Sequence, residues 1–101
     1  MDNNKKSMGH ITGRITDKKS GNPLVNVAIE VKGQNKKTVT DLTGKFRIEN
    51  VESGECALEC KHTEYKQHLI EKIYVTHGKT ATCECHMTQR YMTQLTEPVL
   101  L

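Results

Sequence analysis

The sequence predicts an all-β protein, a single seven-stranded antiparallel Greek-key β-sandwich. From His10 onward apolar and polar residues alternate with a period of two, the pattern of strands that bury one face. Gly, Asn, Asp and Pro interrupt this alternation about every 8–12 residues, as turns do in a sandwich. A chain of 101 residues has the length of one such domain.

Each predicted strand is defined by the residues on its buried face. The second strand is the clearest, because β-branched residues alternate there with polar or small ones. The sixth is the least distinct, since Ile70 and Tyr74 add apolar side chains to the opposite face. The predicted inward residues, strand by strand, are Ile11, Gly13 and Ile15; Val25, Val27, Ile29 and Val31; a short third strand over 37–40; Phe46 and Ile48; Cys56, Leu58 and Cys60; Leu69, Ile73 and Val75; and Ala81, Cys83, Cys85 and Met87.

The chain divides into three predicted segments. Residues 1–9 are expected to form a flexible N-terminus, residues 10–88 the sandwich, and residues 89–101 a C-terminal tail or linker. Near the tail, Met87, Tyr91, Met92 and Leu95 have the spacing of one face of a short helix. The tail either covers an open sheet edge or leads into a further domain.

The composition argues against nucleic-acid and membrane partners. The formal charge is +3, from 15 basic and 12 acidic residues that are spread along the chain. The few aromatic residues are too separated to form a base-stacking surface, so no nucleic acid partner is expected. No apolar run approaches the ~20 residues that span a bilayer, so no direct membrane insertion is expected. Residues 1–10 contain no secretory signal, which predicts a cytoplasmic location for the chain as written.

Two turn segments, 16–24 and 40–46, share an Asp followed by a Gly three or four residues later. The carboxylates of Asp17 and Asp41 can accept backbone N–H groups across the turn, while Gly21 and Gly44 adopt the positive φ that closes it. A calcium site at either Asp would need several more converging oxygens, and no loop of that acidic density is present. Both segments are therefore interpreted as structural turns.

These turns and the strands around them resemble the carboxypeptidase regulatory-like domain. The resemblance covers residues 11–87 and includes Asn26, which tolerates a left-handed backbone where the family often has Gly. The matching positions are Ile11, Thr12, Gly13, Arg14, Ile15, Thr16, Asp17, Gly21, Asn22, Pro23, Leu24, Val27, Ile29, Val31, Lys32, Gly33, Thr38, Val39, Thr40, Asp41, Gly44, Phe46, Ile48, Val51, Gly54, Leu58, Tyr65, Val75, Gly78 and Thr80.

The resemblance implies a prealbumin-like sandwich that serves as an accessory module beside catalytic domains or at the front of bacterial outer-membrane receptors. Its implied role is folding support or contact with a protein or glycan partner. If the chain is an excised domain of this kind, its compartment is the periplasm or the outer membrane. The module implies no catalytic residue, no cofactor and no metal ligand.

Two patterns in the sequence resemble those of enzymes but lack the required context. His68 and Glu71 match the His-x-x-Glu spacing of zinc carboxypeptidases, but residues three apart on a strand point to opposite faces. Hydrolases of the related transthyretin-like fold close with Tyr-Arg-Gly-Ser, whereas this chain closes with Pro98, Val99, Leu100 and Leu101. The prediction is therefore a non-enzymatic module, with a small hydrolase as an alternative that lacks its motif.

The four cysteines leave a second alternative open. Cys56, Cys60, Cys83 and Cys85 are all predicted on inward faces, where a free thiol acts as a small apolar side chain. If the two strands face each other across the core, one inter-sheet disulfide can form in an oxidising compartment. A metal- or redox-responsive module is the corresponding functional alternative, although His86 should point away from the Cys83 and Cys85 thiols.

The sequence identifies no binding residue, partner or oligomeric state. The short, polar third strand suggests one mode of binding, in which a partner strand adds to an exposed sheet edge at Val39. His10, His62 and His77 lie beside turns or strand ends and are predicted to be surface residues.

Overall fold

A computed structural model describes residues 7–90, and this part of the chain forms seven strands and no helix. No segment between these limits could therefore cross a membrane as a long apolar helix. The strands are β1 (Met8–Asp17), β2 (Ala28–Val31), β3 (Lys37–Val39), β4 (Lys45–Glu52), β5 (Gly54–His62), β6 (Tyr65–Val75) and β7 (Thr80–Met87).

The strands form two sheets, one with the order β4-β1-β7 and the other with the order β3-β2-β5-β6. The predicted all-β class with seven strands is confirmed, while the Greek-key order stays a prediction. One pairing departs from the antiparallel pattern, because β1 and β7 run parallel. β7 follows β6 of the other sheet and not a hairpin partner of its own, so no tight turn forces it to run against its neighbour.

The core lies between the two sheets and consists mainly of the predicted inward residues. Phe46 and Ile48 are buried while Lys45, Arg47 and Glu49 are exposed, as alternation requires. The buried apolar side chains are Ile11, Ile15, Leu24, Val27, Ile29, Val31, Phe46, Ile48, Val51, Leu58, Cys60, Tyr65, Ile73, Val75, Cys85 and Met87.

Two predicted core residues, Val25 and Leu69, are exposed at 36% and 40%. Val25 precedes a turn in which Asn26 adopts a φ of 64°, so β2 begins only at Ala28 and Val25 lies outside its alternation. The left-handed conformation expected for Asn26 is confirmed.

The error at Leu69 has its origin in a β-bulge. Between the pairs Leu58 to Ile70 and Cys56 to Ile73, β5 advances two residues while β6 advances three. Lys72, with a φ of 61°, lies in this extra step. The bulge brings Ile70 and Ile73 to the same face although they are three apart, and Leu69 is left on the opposite face.

Gly13 shows why one inward position carries no side chain. Gly13 is the cross-strand partner of Phe46, and a Cβ added to Gly13 would lie 2.4 Å from the Phe46 ring. The absence of a side chain lets the aromatic ring cover the backbone of β1 and fill the core at this point.

After β7 the chain crosses toward the edge of the second sheet. The Lys66 amide donates to the Thr88 carbonyl at 2.8 Å, and Tyr65 forms an isolated bridge with Gln89. These contacts link β6 to the segment that follows β7. The helix expected around Tyr91, Met92 and Leu95 falls outside residues 7–90.

Candidate functional site

The two aspartate turns have the predicted geometry. Asp17 Oδ1 accepts the amides of Lys19 and Ser20, both at 2.8 Å, and Gly21 has a φ of 79°. Because Oδ1 accepts two amides of its own turn, this segment has a structural role.

The Asp41 turn repeats this arrangement. Asp41 Oδ1 accepts the Thr43 amide at 2.9 Å, the Thr43 hydroxyl at 2.7 Å and the Lys45 amide at 3.0 Å, while Gly44 has a φ of 78°. These hydrogen bonds, first that of the Thr43 hydroxyl, lower the pKa of Asp41.

Asp17 has a second function that the sequence did not indicate. The Tyr65 hydroxyl donates to Asp17 Oδ2 at 2.5 Å, which connects the start of β6 to the end of β1 in the other sheet. The hydrogen bond from Tyr65 and then the Ser20 amide lower the pKa of Asp17, while burial and the same hydrogen bond raise the pKa of Tyr65. The resemblance had matched Tyr65 but did not assign it a partner.

The four cysteines lie in two environments. Cys60 on β5 and Cys85 on β7 are buried, as predicted, but Cys56 and Cys83 are only half-buried at the margin of the core. Burial raises the pKa of Cys56, and it raises the pKa of Cys83 to about 11. These thiols therefore stay protonated at neutral pH and are poor nucleophiles.

Three histidines accept hydrogen bonds from the backbone. The Nδ1 atoms of His10, His62 and His77 accept the backbone amides of Asn50, Glu64 and Met8 at 3.4, 3.1 and 3.3 Å. His10 and His62 are half-buried and only His77 is exposed, so the surface prediction is accurate for His77 alone.

The remaining metal patterns are not brought together. His68 pairs with Cys60 and shares its face, whereas Glu71 follows inward-facing Ile70 and points the other way. His86 Nδ1 lies 2.6 Å from Thr16 Oγ1 on the outer face of its sheet, away from the thiols of the neighbouring residues. Within residues 7–90, no three His, Cys, Asp or Glu side chains are placed to share a metal ion.

A groove crosses the outer face of the four-stranded sheet, and we call it the outer groove. It consists of two pockets of about 630 and 500 Å³ that share Ala28 and Lys61. The first pocket is lined by Asn26, Ala28, Lys61, His62, Thr63, Gln67 and Arg90, and the second by Ala28, Ile29, Glu30, Lys37, Thr38, Val39, Glu59 and Lys61.

The second pocket opens at the free edge of β3. The Lys36 carbonyl accepts the Val31 amide at 2.9 Å, and the Thr40 amide donates to the Val27 carbonyl at 3.1 Å. The backbone polar groups of Lys36 and Thr40 therefore point toward β2. By the alternation of an antiparallel pair, the N–H and C=O groups of Lys37 and Val39 point away from the sheet. No strand within residues 7–90 pairs with this edge.

The other edge strands differ from β3 in regularity or in their contacts. At Asn50, which has a φ of 59°, β4 contains a bulge that interrupts its ladder with β1. β6 and β7 are connected by the contacts of residues 88 and 89 with the start of β6. β3 is the shortest of the described strands, and its outer edge pairs with none of them.

The fold is similar to parts of several larger bacterial proteins. A structure of a type II cohesin-X-dockerin complex from Acetivibrio cellulolyticus matches with a TM-score of 0.65 and 22% identity over 76% of this chain and 52% of that one. The Bacillus anthracis TIE protein matches with a TM-score of 0.69 and 19% identity over 82% of this chain and 17% of that one. GBS52, the minor pilin of Streptococcus agalactiae, matches with a TM-score of 0.61 and 16% identity over 95% of this chain and 48% of that one.

These identities establish the likeness of the fold alone. The chain spans about half or less of the length of the solved chains it matches. No protein of curated function matches it in sequence. The model of the CarboxypepD_reg-like domain, however, matches residues 11–100, nearly the whole chain. The chain belongs to the CarboxypepD_reg-like domain family.

Proposed function

We propose that this chain is a non-enzymatic accessory module that binds an extended segment of a protein partner by strand addition to β3. The observation that carries the proposal is the open edge of β3, where the backbone groups of Lys37 and Val39 point away from the sheet. An extended peptide satisfies these donors and acceptors by main-chain hydrogen bonds, which need no particular side chain on the module.

The surroundings of β3 favour a peptide with an apolar and an acidic component. Val39 is 57% exposed and lines the outer groove beside Ala28, so an apolar side chain of the bound segment can enter there. Lys36 and Lys37 add two positive charges at the edge, and neither forms an ion pair within residues 7–90. An acidic segment is therefore attracted more strongly than a basic one.

The features of β3 also limit unspecific association. β3 has only three residues, and Lys37 on it repels the same edge of a second copy. A short edge of this kind supports pairing with one complementary segment better than the growth of an extended sheet.

The chemistry of the nucleophilic side chains supports a non-enzymatic role. The cysteines are buried or half-buried, and the pKa of Cys83 is raised to about 11. His10, His62 and His77 accept backbone amides with Nδ1. His86 contacts the Thr16 hydroxyl, but Thr16 is only 7% exposed and is closed to a substrate. A hydrolase would need such a pair beside a pocket.

We also propose that the module is one part of a larger surface or outer-membrane protein whose partner lies in the periplasm. This proposal is supported by the family and by the greater length of the matched solved chains. The sequence encoded after Leu101 tests it. A following receptor or surface domain supports it, and a stop codon there contradicts it.

Strand addition is tested with two proline variants and a library of displayed, unstructured peptides. Val39→Pro removes an N–H that faces the open edge, so it should keep the fold and lose binding of the selected peptides by at least about 10-fold, a loss of one or two backbone hydrogen bonds. Leu42→Pro is the matched control, because Leu42 is 83% exposed at the second position of the Asp41 turn, which accepts proline.

The expected result is that acidic peptides are selected and that they bind wild type and Leu42→Pro equally but not Val39→Pro. Failure to select any peptide, or equal binding to Val39→Pro, contradicts strand addition. Binding to a glycan array that is unchanged by Val39→Pro would assign the recognition to a carbohydrate instead.

A further inference from the structure

Two thiols from different sheets are buried in the core. Cys60 on β5 is 0% exposed and Cys85 on β7 is 3% exposed, and their strands belong to opposite layers of the sandwich. Both point inward and belong to the same cluster of buried side chains. The Cys85 thiol raises the pKa of Cys60 and the Cys60 thiol lowers that of Cys85, because the two side chains approach each other inside the core.

We propose that Cys60 and Cys85 are an oxidation site at which an intramolecular disulfide links the two sheets. Both side chains already point into the core between the two sheets, so the bond requires no exchange of strands or faces. Cys56 and Cys83 are half-buried at the margin of the core and are not the proposed pair. The proposal rests on the core alone and does not depend on the binding mode at β3.

The reaction balances with a disulfide oxidant, such as oxidised glutathione. One protein thiolate attacks a sulfur of the oxidant, forms a mixed disulfide and releases one glutathione thiolate. The second protein thiolate attacks the protein sulfur of the mixed disulfide and releases the second glutathione. In total, two protein thiols lose two electrons and two protons, and the oxidant becomes two thiols.

Burial determines when the reaction occurs. Because Cys60 and Cys85 are enclosed, an oxidant reaches them only while β7 is separated from the core, during folding or a transient opening. Once formed, the bond lies in the apolar interior and is protected from exchange with external thiols. Cys83 remains slow to react in the folded protein, because its pKa of about 11 keeps the thiol protonated.

The consequence is a covalent connection between layers that are otherwise held by side-chain packing and hydrogen bonds. The bond closes the segment from β5 through β6 to β7 and restricts the unfolded chain. Its expected effect is a rise in the urea midpoint of unfolding of about 1–3 M relative to the reduced protein.

The test refolds the full chain in glutathione buffer with an excess of the oxidised form, and in the same buffer with reductant. The expected oxidised product is a monomer that has lost two hydrogens, retains two of its four thiols and yields a linked peptide containing Cys60 and Cys85. Cys56→Ala with Cys83→Ala is the matched control, and this double variant should form the same bond.

Cys60→Ala and Cys85→Ala should each remain without an intramolecular bond under the same conditions. Because either substitution could prevent folding, the double variant with Cys56→Ala and Cys83→Ala is the decisive test. If it keeps both thiols free after oxidative refolding, the proposal is wrong. A linked peptide that contains Cys56 or Cys83 in the wild type, in place of the Cys60 and Cys85 pair, contradicts it equally.

Discussion

Tyr65 and Asp17 join the two sheets of the sandwich through a hydrogen bond of 2.5 Å from the Tyr65 hydroxyl to Asp17 Oδ2. The other carboxylate oxygen, Oδ1, accepts the amides of Lys19 and Ser20 and closes the turn that follows β1. One carboxylate therefore stabilises a local turn and a contact between layers. Asp17 is 7% exposed, so loss of either set of partners leaves a buried polar atom unsatisfied.

The first prediction concerns the Tyr65 hydroxyl. Tyr65→Phe should reduce the free energy of unfolding by about 1–3 kcal/mol, because Asp17 Oδ2 loses its donor while the ring still packs. Urea unfolding at pH 7 measures the change. Tyr74→Phe is the control, since Tyr74 is on the same strand and 62% exposed, and it should change the free energy little. Equal effects of the two substitutions would show that the contact with Asp17 contributes nothing.

The second prediction follows from the ionisation of Asp17. Its pKa is lowered in the folded state from the ordinary value of 3.8, first by Tyr65 and then by the Ser20 amide. The resulting stabilisation is complete above the unfolded pKa and is lost as the pH falls through the folded pKa. Urea midpoints measured downward from pH 5 should therefore decline, and Asp17→Asn should decline less. The pKa values of Asp41 and Glu49 are also lowered, so a residual slope is expected. A variant with the full wild-type slope would contradict the role of Asp17.

The third prediction concerns a buried hydroxyl at the end of β3. Thr40 is 2% exposed, and its hydroxyl donates to the Leu24 carbonyl at 2.6 Å and accepts the Val27 amide at 2.9 Å. Thr40→Val keeps the shape but leaves both backbone groups without that partner, at a cost of about 1–3 kcal/mol for each group. Thr38→Val, at a half-buried position of β3, should be nearly neutral. Thermal unfolding of both variants measures the difference, which vanishes if water replaces the Thr40 hydroxyl.

The fourth prediction separates backbone conformation from crowding at two glycines. Gly33 and Gly44 have φ values of 81° and 78°, but a Cβ on Gly33 meets nothing within 4 Å, whereas a Cβ on Gly44 lies 2.5 Å from the Ile15 carbonyl oxygen. Gly33→Ala should cost about 1–2 kcal/mol for the left-handed backbone alone. Gly44→Ala should cost clearly more, because the backbone of β1 must also move. Equal losses in chemical denaturation would show that β1 accommodates the methyl group freely.

Much of the sandwich could be predicted because side-chain alternation and turn chemistry are local. Phe46 and Ile48 alternate with charged residues on β4, and this pattern suffices to assign the inward face. The Asp17 and Asp41 turns could likewise be predicted, since the acceptor and the glycine lie within a few residues of each other.

The errors arise where a non-local pairing changes the local pattern. The bulge at Lys72 shifts the alternation of β6, and no residue type in 69–75 requires it, so simple alternation predicts the wrong face for Leu69. The parallel course of β7 beside β1 is set by the path of the chain between sheets and not by the residues of β7.

In the candidate sites, too, local features could be predicted and features that depend on distant parts of the chain could not. The inward direction of Cys60 and Cys85 could be predicted from alternation, but their membership of one buried cluster depends on how the two sheets stack. The half-buried state of Cys56 and Cys83 depends on their position near the margin of the stack. The polar, short β3 indicates an edge strand, whereas the outer groove beside it is also lined by residues of other strands, such as Ala28 and Lys61, whose placement depends on strand pairing.

Amide hydrogen exchange with a selected peptide bound tests strand addition at β3 most directly. The account predicts that the amides of Lys37 and Val39, which face solvent in the free module, become protected, while the rest of the sheet changes little. Protection confined to Lys61, Gln67 and Arg90 at the far end of the outer groove, with Lys37 and Val39 still exchanging freely, would contradict it.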